Sequence, residues 1–375
     1  MIASVCKETE QHEKRVALTP EGVAALVKLG VEVHVESGAG TASSYTDQMY
    51  TEAGATLSNS RDSLISGCDI LLAVQAPAEP VIRKMKAGAT LVSFIWPLQN
   101  ETYVELLKLQ NITALAMDTI PRISRAQSMD ALSSMSNIAG YKAALMGANQ
   151  LDRYLPMMMT AAGTIPPAKV LVLGAGVAGL QAIATAKRLG AVVEAFDIRP
   201  AVKEQVESLG AKFVDVPLEE ASETEGGYAK ELSEKNKQKQ REVIHDHVRK
   251  SDIVITTALI PGRPAPLLVT KAMVEDMSPG SVIVDIAAEQ GGNCEVTKPG
   301  ETIVHQGVRI VAPFNIPSSL AFHASKLYSK NLMSLLSLLI KEGKPEYNFE
   351  DQIIVNATVT HQGELVSPFV KDNLN

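Results

Sequence analysis

The sequence predicts an α/β protein built from two doubly wound parallel-sheet domains with a cleft between them. Three observations lead there. Short apolar runs alternate with helix-like stretches along most of the chain, the signature of βαβ units. Ala, Val, Leu and Ile dominate while Phe, Tyr and Trp make up only 4% of residues, as buried parallel strands require. A length of 375 residues suffices for two domains, each with its own core.

The first domain is expected over residues 1–133. A helix over Glu21 to Leu29, with Pro20 at its start and Gly30 at its end, leads into a strand over Val31 to Glu36. Strands follow over Ile70 to Val74, Leu91 to Ile95 and Thr113 to Ala116, separated by helices over Ala78 to Lys86 and Glu101 to Leu109. Residues 134–325 are assigned to the second domain, and 326–375 to a return into the first. That return comprises an apolar helix from Ser325 to Ile340 and a strand over Gln352 to Thr360.

Between the domains runs PRISRAQSMDALSSMSNIAGYKA, polar at its start and helical afterwards. Arg122, Arg125, Gln127 and Asp130 crowd the polar part. An arginine and an aspartate in one loop can pair and fix its shape, leaving Gln127 to bond a ligand. A solvated connection with incidental charges is the preferred reading on these residues alone.

The stretch KVLVLGAGVAGLQAIATAKRLGAVVEAFDIR, Lys169 to Arg199, is the centre of the second domain. It reads as strand, glycine turn, helix, strand, a Rossmann-type unit. Gly174 allows the tight turn, Gly176 lets the backbone approach a pyrophosphate, and Gly179 lets the helix lie near the strand. The helix opening at Val177 offers unsatisfied N–H groups to an anion. Asp197 ends the second strand about 20 residues further on, where a carboxylate accepts both hydroxyls of an adenosine ribose and repels a 2′-phosphate. The site is therefore expected to take NAD(H). Arg199, two positions beyond Asp197 and past Ile198, is the discordant residue, since an arginine beside the ribose can welcome a phosphate.

Strands over Lys212 to Val216, Asp252 to Thr256, Ser281 to Ile286 and Arg309 to Ala312 complete this sheet. Ligands of open parallel sheets sit at the carboxyl ends of the strands, so Ala258, Leu259 and the AAEQGG loop are expected to face the nicotinamide half of the cofactor. Residues 219–250 are dense in Glu, Lys and Gln. There Gly226, Gly227 and Tyr228 form either a lid over a nucleotide or part of a solvated hairpin.

Composition excludes several classes. A formal charge of −7 argues against nucleic acid as the main partner. The opening MIASVCKETEQHEKR carries charge where a signal peptide needs an apolar core, and Leu332 to Ile340 is too short to cross a bilayer of about 30 Å. Cys6, Cys68 and Cys294 show no metal-ligand spacing and are expected as reduced thiols of a cytosolic protein. His12, His34, His245, His247, His305, His323 and His361 stand in no triad or metal context, and the His245/His247 pair is expected to be solvated. Ser133, Ser134 and Ser136 suit a helix start. The scarcity of acid–base residues matters, because oxidising an alcohol or amine requires a general base. Hydride exchange between two nicotinamides moves no proton at the reacting carbons and needs only approach, orientation and exclusion of water.

Four stretches, KETEQHEKRVALTPEGVAAL, PRISRAQSMDALSSMSNIAGYKA, GAGVAGLQAIATAKRLGA and SVIVDIAAEQGGN, together resemble the alanine dehydrogenase and transhydrogenase alpha-subunit superfamily over nearly the whole chain. The nearer likeness is to the NAD(H)-binding component of proton-translocating nicotinamide nucleotide transhydrogenase. The resemblance implies that Arg122 and Asp130 pair while Gln127 contacts the nicotinamide ribose, making these three the catalytic set. It further implies cofactor contacts at Ser133, Gly174, Gly176, Val177, Gly179, Asp197, Ile198, Arg199, Gly227, Tyr228, Ala258 and Leu259, with Tyr228 on a mobile loop that closes over NAD(H). A homodimer is implied, working with an NADP(H)-binding subunit and a membrane-spanning proton-channel subunit, in the cytoplasm and peripheral on the inner side of the cell membrane. Two departures separate the branches: alanine dehydrogenases carry a lysine where Gln75 stands and a histidine where Trp96 stands. An amide and an indole remove the carboxylate anchor and the proton carrier, leaving Arg15 a structural role. The alternatives are an alanine-type dehydrogenase and a non-catalytic NAD-binding module.

Overall fold

The computed structural model describes residues 1–216, 234–260 and 263–374. The chain forms two compact units, Met1–Met135 with Pro317–Asn375, and Ser136–Ile316.

The first unit holds β1 (Ile2–Val5), β2 (Glu32–Glu36), β3 (Thr56–Ser58), β4 (Ile70–Leu72), β5 (Thr90–Ser93) and β6 (Thr113–Ala116). The second unit begins with a hairpin of β7 (Met158–Thr160) and β8 (Gly163–Ile165), then β9 (Lys169–Leu173), β10 (Val192–Phe196), β11 (Lys212–Phe213), β12 (Ile253–Thr256), β13 (Val282–Asp285), β14 (Thr302–His305) and β15 (Val308–Val311). Past a two-residue pair, β16 (Ile340–Lys341) and β17 (Lys344–Pro345), the chain adds β18 (Thr358–His361) and β19 (Glu364–Leu365) to the first sheet.

That first sheet has the order β19-β18-β6-β5-β4-β1-β2-β3. β1 to β6 pair in parallel, and the returning tail closes one edge antiparallel. β4, β5 and β6 are buried along their whole length, which is why they are apolar without alternation. Several elements have no clear counterpart in the sequence pattern. β1 ends just before the first charge at Lys7, and β3 is a half-exposed edge strand. The helices Asp47–Glu52 and Arg61–Gly67 are marked chiefly by their caps, Thr46 and Ser60, whose side chains accept from Met49 N and Ser63 N.

The run Gln352 to Thr360, expected as one strand, is instead the helix Gln352–Ala357 followed by β18. Asp351 accepts from Ile353 N and starts that helix. Ile353, Ile354 and Ala357 are buried on one face, so capping and helical burial override the β-branched composition.

The second sheet has the order β11-β10-β9-β12-β13-β15-β14, parallel except for β14. Alternate residues of its inner strands enter two cores on opposite faces: Val170, Val172, Val193, Ile253, Ile255, Val282 and Val284 on one side, Leu171, Leu173, Val254, Ile283 and Ile310 on the other. Register aligns the carboxyl ends, since Leu173 lies opposite both Phe196 and Thr256, and Thr256 opposite Asp285. The chain grows outward from β9 first through β10 and then through β12, so the turn after β9 stands at a topological switch point. His245 and His247, expected in solvent, pair with Asp276 (2.7 Å) and Glu194 (2.6 Å).

Candidate functional site

The carboxyl edge of the second sheet brings the predicted glycines and acid together. Gly174 takes φ +103°, which only glycine adopts without strain. A Cβ on Gly179 would stand 1.8 Å from the Gly174 carbonyl oxygen, so glycine is required for the helix Val177–Arg188 to start against the strand it follows. Gly140, on the helix Ala131–Gln150, allows a similar approach, its Cβ position lying 2.0 Å from Ala178 O. Gly176 is different. It caps the helix at φ −74°, ψ −167°, and nothing stands within 4 Å of where its Cβ would be. The first-turn N–H groups of that helix have no intrahelical acceptors, and the open space beside Gly176 leaves room there for an anion.

Asp197 stands beside this turn with its side chain 6% exposed. Its Oδ2 accepts from Ala175 N (2.7 Å) and Arg199 Nη2 (2.9 Å), and its Oδ1 from Arg199 N and Nε (both 2.9 Å). The arginine that made cofactor choice ambiguous is forked onto the acid. All four acceptor positions of the carboxylate are occupied, so any further donor that reaches Asp197 has to displace one of these bonds. Ile198, between them, is half-buried.

A third loop completes the edge. Thr257 Oγ1 donates to Gly174 O (3.1 Å). Ala258 is bracketed by Asn293, whose Oδ1 accepts from Ala258 N (3.0 Å) and whose Nδ2 donates to Ala258 O (2.9 Å) and Pro266 O (2.7 Å). Leu259 is 47% exposed. Asp285, fully buried at the end of β13, accepts from Thr256 Oγ1, Ala287 N, Asn293 N, Cys294 N and Thr297 Oγ1 at 2.7–3.1 Å. Neither Asp285 nor Asn293 stands out in the sequence. The available signal was a lone acid ending the apolar strand VIVD, with a glycine pair six residues further on.

In the first unit, Arg122 and Gln127 are exposed on a segment containing the 3-10 helix Ser124–Met129. The Gln127 amide makes no hydrogen bond among the described residues, which leaves it available to a ligand. Asp130 accepts from Ser133 N (2.8 Å) and Oγ (2.6 Å), so Ser133 does belong to a helix start. The segment is anchored from both ends: Arg125 forks onto Asp351, and Asn331 Nδ2 donates to Ser128 O (2.8 Å). Gly226, Gly227 and Tyr228 lie outside the described residues.

Two family models match the chain: "Alanine dehydrogenase/PNT, N-terminal domain" over residues 4–139 and "Alanine dehydrogenase/PNT, C-terminal domain" over residues 143–368. The chain belongs to the alanine dehydrogenase/PNT family. Within this family it is 50% identical to an NAD(P) transhydrogenase alpha-subunit chain of Rhodospirillum rubrum, covering 98% of each chain. It is 30% identical to the alanine dehydrogenase of Mycolicibacterium smegmatis, over 100% of this chain and 97% of that one. The solved transhydrogenase structure from Sinorhizobium meliloti superposes with a TM-score of 0.88 at 45% identity, covering 98% of this chain and all of that one.

The alanine dehydrogenase/PNT fold leaves a polar cluster behind β1 and β4 of the first unit, where the two branches of the family were expected to differ. Gln75 Nε2 donates to Glu13 Oε2 (2.9 Å). Glu13 also takes Arg15 N, Nε and Nη2 at 2.6–2.9 Å, and the side chains of Arg15 and Glu13 are 4% and 0% exposed. The guanidinium already holds an internal carboxylate. Trp96 sits at φ +52° with its backbone N–H donating to Asp118 Oδ2 (3.0 Å), and its ring stacks on Phe94 at 5.7 Å. Burial pushes the Asp118 carboxyl up to about 6 against its backbone hydrogen bonds. Burial likewise raises Glu8 to about 7, opposed by the Val74 N–H.

Proposed function

We propose that this chain is the NAD(H)-binding subunit of a proton-translocating nicotinamide nucleotide transhydrogenase, active only with partner subunits. The observation that carries the reading is a pairing of features. The second sheet carries a glycine turn opening a helix with Asp197 beside it, the arrangement that suits a dinucleotide's diphosphate and ribose. Where the resemblance puts the substrate-binding lysine and the acid–base histidine of an alanine dehydrogenase, this chain has the Gln75 amide, tied to Glu13, and the Trp96 indole, stacked on Phe94. The 50% identity to a transhydrogenase subunit, against 30% to an alanine dehydrogenase, supports the same choice.

Bound NADH supplies a hydride from C4 of its dihydronicotinamide ring, and NADP+ on a separate subunit receives it, giving NAD+ and NADPH. The residues of this chain bind and orient. The N–H groups at Gly176 and Val177 hold the diphosphate, and Asp197 with Ile198 and Arg199 holds the adenosine ribose. Asp197 disfavours a 2′-phosphate by charge. Ala258 and Leu259 meet the nicotinamide half. Gln127 orients the nicotinamide ribose, with Arg122 and Asp130 shaping its segment and Ser133 starting the following helix. No side chain has to move a proton at the reacting carbons, so orientation and exclusion of water supply the rate.

A homodimer belongs to the proposal. The β7–β8 hairpin exposes Met157 (57%), Met159 (79%) and Ile165 (42%), and a two-stranded hairpin is marginal in water without something packed on it. Among the described residues no helix is long and apolar enough to cross a membrane. The proposal gives the proton path to a partner subunit and puts this chain on the inner face of the membrane that holds that partner.

The test is reconstitution with an NADP(H)-binding partner. Exchange of hydride between NADH and an NADP+ analogue supports the proposal. A chain that instead reduces NAD+ with L-alanine at an enzymatic rate is an amino-acid dehydrogenase, and one that binds NADH but never exchanges hydride is a binding module.

A further inference from the structure

We infer that Asn293, held in place by Asp285, is a positioning residue for the nicotinamide half of the site. The inference rests on the dinucleotide reading above and goes beyond it, because Asn293 is fully buried and acts on the cofactor only through the loop it holds.

The Asn293 carboxamide accepts from Ala258 N and donates to Ala258 O and Pro266 O. Its backbone carbonyl oxygen accepts from both Leu268 N and Val269 N at 2.9 Å. Five hydrogen bonds thus tie one residue to both ends of the loop that leaves β12. Few side chains could replace it: the contact with Ala258 needs an acceptor and a donor in one plane, and the contact with Pro266 needs a second donor. Asp285 fixes Asn293 in turn through its N–H, and the positive φ of Gly291 and Gly292 shapes the turn between them. A Cβ on Gly292 would stand 2.6 Å from Asp285 Oδ2, so the turn is wrapped directly around the carboxylate.

These bonds decide what Ala258 and Leu259 offer a cofactor. With the Ala258 N–H and C=O both committed to Asn293, this corner presents the Ala258 methyl and the exposed Leu259 side chain, an apolar wall for the flat nicotinamide ring. Removing the carboxamide frees those backbone groups and lets the wall move. The glycine turn and Asp197 keep their own hydrogen bonds.

The experiment compares NADH with ADP-ribose, which lacks the nicotinamide, by equilibrium binding to the full-length chain. Asn293→Ala is expected to weaken NADH by about tenfold or more while ADP-ribose changes by less than about threefold. Asn293→Asp, which keeps shape and one acceptor but loses both donors, is expected to match it. Equal weakening of both ligands, or of neither, overturns the role. If Asn293→Ala fails to fold, as loss of ADP-ribose binding and of the thermal transition would show, Asn293→Ser is judged by the same ratio. Wild-type chain that binds neither ligand overturns the dinucleotide reading, a result distinct from any of these.

Discussion

Replacing Gly179 and Gly176 in turn by alanine separates the two jobs that glycines do in the turn after β9. At Gly179 the new Cβ would stand 1.8 Å from Gly174 O and 2.8 Å from its carbonyl carbon. Ordinary contact begins near 3.4 Å, and both obstacles are backbone, so no side chain can swing away. The helix Val177–Arg188 has to shift by more than about 1 Å, at the upper end of the roughly 1–3 kcal/mol usual for overpacking. At about 2–4 °C per kcal/mol this lowers Tm by roughly 4–12 °C. At Gly176 the Cβ meets nothing within 4 Å and the backbone angles suit alanine. The cost is confined to about 1 kcal/mol or less of capping preference. In the proposed dinucleotide site, however, that methyl stands where the diphosphate is to approach. Lengthening one or two charge-assisted hydrogen bonds worth about 1.5–3 kcal/mol each weakens NADH by roughly tenfold to a hundredfold. Thermal unfolding and fluorescence titration with NADH check both. Gly179→Ala melting with the wild type, or Gly176→Ala binding NADH as tightly as the wild type, would refute the division of roles.

Gln127→Asn is expected to slow hydride exchange with a partner subunit by about tenfold or more while changing the NADH dissociation constant by less than about threefold, because it alters orientation more than affinity; single-turnover kinetics and titration together decide it. Arg199→Ala should leave NADPH rejected, since Asp197 remains, whereas Asp197→Asn should narrow the preference for NADH over NADPH; competition binding measures both. For Glu8, burial raises the folded pKa from 4.5 to about 7, so the folded state holds a proton that the unfolded state releases. Its contribution to stability is complete below about pH 4.5 and is lost as pH rises through about 7. Glu8→Gln should therefore stabilise the fold at pH 8, by on the order of 1–3 kcal/mol, and do little at pH 4.5; denaturant unfolding at the two pH values measures it, and a pH-independent effect would count against it. Wild-type chain should not reduce NAD+ with L-alanine, as Gln75 and Arg15 are both engaged by Glu13.

Much of this protein was legible in its linear pattern. The βαβ unit over Lys169 to Arg199 could be read to within a residue or two, because a glycine turn, an apolar strand on either side and a terminal acid are all local signals. The helix Glu101–Leu109 and the strands Thr113–Ala116 and Val192–Phe196 fall where the apolar spacing puts them, for the same reason. The pattern fails where structure depends on partners distant in sequence. Gln352 to Ala357 carries a strand-like composition yet is helical, because its burial and its cap at Asp351 outweigh propensity. β1, at the very start of the chain, and β3, short and half-exposed, have no flanking periodic pattern and exist because neighbouring strands complete their hydrogen bonds. Arg199 was ambiguous as a letter and became a partner of Asp197 only when the backbone turned it there. Asn293 looked like an ordinary loop residue, and its hold on Ala258, thirty-five positions away, arises from the parallel register that sets β12 beside β13. The order of residues thus determined which groups could meet a dinucleotide, through local turns and periodicity. Tertiary structure alone decided which polar groups are already bonded to each other and which remain for a ligand, since that depends on burial and on contacts the chain makes across the sheet.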